Sequence, residues 1–156
     1  MNNRQRGVAM VELAIILPLL LAICFAITEF GRAIYTYNTL AKSARDAARY
    51  LSMQATKDTT AWNTAKNLVV FGNPAGNGSP LAPGLNASKV AICDASNCAA
   101  NLNQGSNPVI NTVTVTITGY QFTPIIDLLA FTRFYTGDSS AITSIPFDDI
   151  SVTMRQ

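Results

Sequence analysis

From Val8 to Thr28 the chain reads VAMVELAIILPLLLAICFAIT, an apolar run of 21 residues broken by one charge, Glu12. As a helix this run spans roughly 31 Å, the thickness of a hydrocarbon core. Its strongly apolar side chains contribute about −4 to −7 kcal/mol toward insertion, against at most about +3 kcal/mol for Glu12. The pattern therefore predicts a transmembrane helix over residues 8–28, with an expected helix kink at Pro18, whose ring nitrogen has no hydrogen to donate. Arg4 and Arg6 precede the run with no acidic residue between them, which by the positive-inside bias places the N-terminus in the cytoplasm and the remainder outside.

The helical pattern does not stop at the end of the span. Apolar positions recur at Phe30, Ile34, Tyr37, Leu40, Ala41, Ala44, Ala48 and Leu51, with Arg32, Lys42, Arg45, Asp46 and Arg49 between them. One helix of roughly 70 Å is predicted from Val8 to Gln54, with Gly31 as a soft point. This continuation argues against a cleaved secretory signal: Ala22, Cys24 and Ala26 supply small residues at alternate positions, but Glu12 and Pro18 lie inside the would-be apolar core of such a signal. Ile23 directly before Cys24 does not suit a lipid-attachment site, where a small residue is needed.

Beyond Lys57 the period changes. Thr59 or Thr60 caps a second helix over Ala61 to Phe71, with Trp62, Ala65 and Val69 on one face and Gly72-Asn73-Pro74 as its stop. Gly, Pro, Asn and Ser crowd residues 72–88, which reads as a long surface loop. Lys89 to Cys93 is β-prone, Asp94-Ala95-Ser96-Asn97 is turn-prone, and Asn101 to Asn111 is a second polar loop. Asn111 to Thr118 alternates Thr with Val and Ile, the period-two signature of a strand with one buried face; Gly119 ends or bulges it. Thr123-Pro124 opens a short helix over Ile125 to Phe134, closed by Gly137, and Ile150 to Met154 alternates again as a terminal strand able to pair with the earlier one. The fold class is α+β. The predicted divisions are residues 1–7, the span 8–28, an extramembrane helical stalk with the second helix over 29–71, and a loop-rich β-containing head over 72–156.

Composition narrows the chemistry. Charged residues make up only 13% of the 156, well under the share of a typical soluble domain. Eleven Lys and Arg against nine Asp and Glu give +2 with no dense basic patch, which argues against nucleic acid as a partner. Histidine is absent, which removes the commonest general base, the usual zinc ligand and every Ser-His-Asp or Cys-His arrangement. Three cysteines fit one local disulfide, Cys93 to Cys98 around the turn, better than a four-ligand metal site. Asp148-Asp149 after Pro146 reads as a solvated turn. No catalytic, metal or cofactor site is predicted, and the chain is not expected to be an enzyme.

Taken together, these residues carry a resemblance. Gly7 before an apolar segment, with Glu12 at the fifth position after it, resembles the processing site of type IV prepilins. Pro18, Glu29-Phe30-Gly31-Arg32, Ala44-Arg45-Asp46-Ala47-Ala48-Arg49 and the closing Ser151-Val152-Thr153-Met154-Arg155 are similar to the TadE-like minor pilins, or pseudopilins, of the tight-adherence (Tad/Flp) pilus system. The resemblance covers about 45 residues well and the last few loosely. It implies leader cleavage by a prepilin peptidase between Gly7 and Val8. It further implies residence in the inner membrane with a periplasmic head, and packing of the N-terminal helix against other pilin subunits and the assembly platform. In such assemblies Glu12 would meet the freed amine of Val8 in an adjoining subunit. The implied role is pilus biogenesis and surface attachment. The alternative is a single-pass, membrane-anchored periplasmic binding or envelope protein that enters no fibre.

Overall fold

A computed structural model describes residues 3–106, 108–125, 137 and 144–156. The chain divides into two compact units, residues 1–34 with 123–145 and residues 35–122 with 146–156. The architecture is α+β: a long N-terminal helix, a short second helix and antiparallel strands. The helix expected over Ile125 to Phe134, with Gly137 as its close, lies outside the described residues apart from its two ends.

Helix α1 runs over Asn3–Leu51. It starts ahead of the expected Val8, because Asn3 to Arg6 contain nothing that opposes a helix, and it passes through both Pro18 and Gly31. It ends three residues before the expected Gln54. There the backbone tightens into shorter turns, Met53 N–H donating to Tyr50 (3.3 Å) and Gln54 N–H to Leu51 (3.0 Å), before Lys57 takes a positive φ of 66°.

The two stretches of α1 differ in what surrounds them. In the first unit the large apolar side chains from Val8 to Ile27 are exposed. In the second unit Leu40, Ala44, Ala47, Ala48 and Leu51 are buried and form one wall of a core. The periodicity that continues past the span is thus a core-facing stripe, and this part of the helix belongs to the head.

Helix α2 spans Thr59–Phe71. Its cap is Asp58, not Thr59 or Thr60: the Asp58 carboxylate accepts from the Thr60 amide at 2.9 Å and the Ala61 amide at 3.1 Å. The left-handed turn at Lys57 delivers Asp58 in an extended conformation, and a carboxylate there also suits the helix dipole. At the other end Gly72 adopts a φ of +72° and donates its N–H to Leu68, the expected stop. Ala61, Ala65, Val69 and Val70 face the core.

The sheet places the strand with the clearest alternation at its centre. Strand β1 (Val90–Cys93) and strand β5 (Ile150–Arg155) flank β2 (Thr112–Ile117), both antiparallel to it. Val113, Val115 and Ile117 are buried while the intervening Thr112, Thr114 and Thr116 are half-buried. On the threonine face Thr114 Oγ1 lies 2.8 Å from Thr153 Oγ1, and Thr116 Oγ1 lies 3.2 Å from Ser151 Oγ, two cross-strand hydroxyl pairs. Two two-residue strands, β3 (Gln121–Phe122) and β4 (Ile145–Pro146), lie between β2 and β5 in sequence. Phe147 closes this side of the head, its ring 5.8, 5.4 and 5.9 Å from those of Tyr37, Tyr120 and Phe122.

Candidate functional site

The residues singled out in the apolar run share one helix. Gly7, Val8, Val11, Glu12 and Ile15 line a shallow groove along α1, and the i, i+4 spacing puts Val8 and Glu12 on the same face. A side chain added at Gly7 would meet nothing within 4 Å, so neither packing nor backbone conformation calls for glycine there. That leaves the residue type itself, as a bare backbone segment beside Val8, to be explained by something other than the fold.

Glu12 is exposed in a segment where every neighbour is apolar, and among the described residues no ion pair reaches it. Val8 is 69% and Ile15 72% exposed, values that oppose solvation by water and call for lipid or another apolar surface. Mean hydropathy reaches 2.7 in this helix, the one described helix long and apolar enough to cross a membrane. The run closes with an ion pair, Arg32 Nη1 donating to both carboxylate oxygens of Glu29 at 2.9 and 2.7 Å. Glu29 is itself buried, and the pair neutralises its charge at i, i+3 spacing.

In the head, Cys93 and Cys98 form the expected disulfide, with Cα atoms 5.5 Å apart. Between them Asp94 does more than make a turn. Its buried carboxylate accepts from the Lys57 amide (3.0 Å), Trp62 Nε1 (3.2 Å), the Ser96 amide (2.8 Å) and the Ser96 hydroxyl. Burial pushes this carboxyl up, but the donated hydrogen bonds outweigh it and hold its pKa below the ordinary value of 3.8. The turn is bound to the sheet as well: Asn101, buried, donates from Nδ2 to the Cys93 carbonyl (2.7 Å) and to Thr114 Oγ1 (3.0 Å). The local Asp-x-Ser pattern marks a turn in the sequence, but nothing local announces the bonds to Lys57 and Trp62, which are 37 and 32 positions away.

Residues 7–49 match the TadE-like protein family. The similarity covers 43 of the 156 residues. The matched segment opens at Gly7 and closes at Arg49, so it takes in the exposed run, Glu12, Pro18, the Glu29–Arg32 pair and most of the core-facing stripe of α1. Neither the comparison with curated proteins nor that with solved structures finds a match.

Among the described residues no group of three His, Cys, Asp or Glu gathers in metal-binding geometry. The structure brings Gly7, Val8 and Glu12 of the TadE-like segment together on one face and sets Cys93 and Cys98 apart from them in the other unit, as covalent support for the turn that presents Asp94. Replacing both cysteines with serine is expected to lower the stability of the head by about 2 kcal/mol, because a short loop restrains little unfolded chain. Urea unfolding followed through Trp62, the single tryptophan, measures this, and reductant should reproduce the shift in the parent chain.

Proposed function

We propose that this chain is a minor pilin, or pseudopilin, of a Tad-type pilus assembly. The observation that carries the reading is the family match over residues 7–49. It coincides with an exposed apolar run, residues 8–28, whose one carboxylate lies five positions after a glycine that packing does not require. The role is structural and not enzymatic. A prepilin peptidase cuts between Gly7 and Val8, the processed helix stays in the inner membrane with its head in the periplasm, and assembly transfers that apolar surface from lipid to the helices of neighbouring subunits and the platform. Incorporation into the pilus then contributes to its biogenesis and to surface attachment.

Leader removal is directly measurable. N-terminal sequencing and intact mass of the chain from cells holding the peptidase are expected to begin at Val8. Net side-chain charge then falls from +2 to zero, because Arg4 and Arg6 leave with the leader. A chain that keeps Met1 in peptidase-positive cells overturns the reading and favours a permanently anchored envelope protein.

A further inference from the structure

The two edges of the three-stranded sheet are finished differently. In β1 the Lys89 carbonyl accepts from Thr118 N–H at 2.8 Å, which fixes the phase of the ladder: residues 89, 91 and 93 bond inward to β2, and Val90 and Ile92 turn their backbone groups outward. Those outward groups are partly consumed by the chain itself. Val90 N–H donates to the Ala87 carbonyl, and the Ile92 carbonyl accepts from Asn97 Nδ2 at 3.0 Å. With four residues and a disulfide-linked turn at its end, β1 is a blunted edge.

Strand β5 is open. Gln156 N–H donates to the Asn111 carbonyl at 2.9 Å, so Ile150, Val152 and Met154 bond inward to β2, and Ser151, Thr153 and Arg155 turn N–H and C=O outward. Among the described residues no backbone group pairs with them. The six-residue strand contains no proline and no lysine, and it pairs with β2 residue for residue without a bulge. An edge of this kind is normally protected or used. Its ends carry opposite charges: Asp149, just before the strand, and Arg155, its last residue, are both exposed, and neither belongs to an ion pair among the described residues.

We propose that β5 is a homotypic docking edge that takes β5 of a second copy of this chain, antiparallel and centred on Val152. This register sets Ser151 opposite Thr153, Asp149 opposite Arg155 and Ile150 opposite Met154, each contact occurring twice about the two-fold axis. The hydrogen-bonding phase requires it to shift in steps of two residues, because a one-residue slip would present groups already bonded to β2. A two-residue slip in either direction removes both Asp149–Arg155 pairs. The charges therefore select one register and select this strand's own copy as the complement. On one face the hydroxyl pairs of Thr114–Thr153 and Thr116–Ser151 extend into the partner, and on the other Ile150, Val152 and Met154 meet their counterparts.

The test uses the full-length chain in detergent micelles, in a Cys24→Ala background. Val152→Cys places two thiols across the axis, where opposed Cα atoms of a non-hydrogen-bonded pair lie within disulfide range, and mild oxidation is expected to yield a covalent dimer. Ser151→Cys alone is expected to give no covalent dimer, because its opposite residue is Thr153. In light-scattering mass measurements Thr153→Pro should convert dimer to monomer while Trp62 fluorescence still reports a folded head, since the lost N–H points away from β2 and only the hydroxyl pair with Thr114 is lost with it. Arg155→Asp should weaken the dimer more than tenfold, and adding Asp149→Arg to the same chain should restore it. A parent chain that remains monomeric at all concentrations, equal cross-linking at positions 151 and 152, or failure of the charge swap to restore dimers overturns the proposal. Each of these readouts is independent of leader processing.

Discussion

Replacing Glu12 with leucine is expected to leave membrane insertion and leader removal intact and to abolish stable incorporation into a pilus assembly. For insertion alone leucine is favoured at this position by roughly 3 kcal/mol or less, so an anchor gains nothing from keeping the carboxylate. In the structure Glu12 is exposed on the groove face that also carries Val8. A freed α-amine at Val8 would be largely protonated near neutral pH, since such groups have pKa values of about 7.7 to 8.0. In a dry helix bundle the two charges need each other, because an unpaired carboxylate there costs several kcal/mol. Loss of about 3 kcal/mol corresponds to a fall of roughly 100-fold in subunit association. Membrane fractionation, intact mass and co-purification of pilus components, compared for the two forms, separate these steps. Normal assembly by the leucine variant would reduce the helix to an anchor.

The second large effect is expected at Asp94. Alanine there strips the acceptor from four donors, the Lys57 and Ser96 amides, Trp62 Nε1 and the Ser96 hydroxyl, all of them held in place by the surrounding fold. The donors are part-buried, Lys57 and Ser96 being exposed residues, so water replaces some of the lost bonds and the head should lose about 1 to 3 kcal/mol. The change should be visible as a lower urea midpoint in Trp62 fluorescence. The same residue links stability to acid. Its folded pKa is depressed, so its contribution is fully present above the ordinary value of 3.8 and is lost as pH falls through the folded value. An Asp94→Asn chain should unfold more easily at neutral pH and show a smaller further loss as the pH falls below the ordinary value of 3.8. Equal acid sensitivity in the two chains would assign the effect to other carboxylates.

These two residues differ in how far the sequence reveals them. Glu12 is conspicuous because a single charge in a 21-residue apolar run has an energetic cost that needs a reason, and that cost is readable without coordinates. Asp94 looks like an ordinary turn residue, since its second role depends on donors brought from residues 57 and 62 by the path of the chain.

The same division holds across the fold. Local periodicity determined the long helix, the alternation of β2 and β5, the stop at Gly72 and the reach of the disulfide, because each depends on residues within a few positions of one another. Tertiary structure decided that the stripe from Leu40 to Leu51 is core and not a bare stalk, because a helical face carries the same pattern whether its partner is a sheet, a membrane or another helix. It decided that Asp58 and not a threonine caps α2, through the left-handed turn at Lys57. It also placed β2 between β1 and β5, and with that order it determined which edge is covered by its own side chains and which stays open among the described residues. Strand order and ladder phase are properties of hydrogen bonds between segments up to 43 residues apart, and no local pattern encodes them.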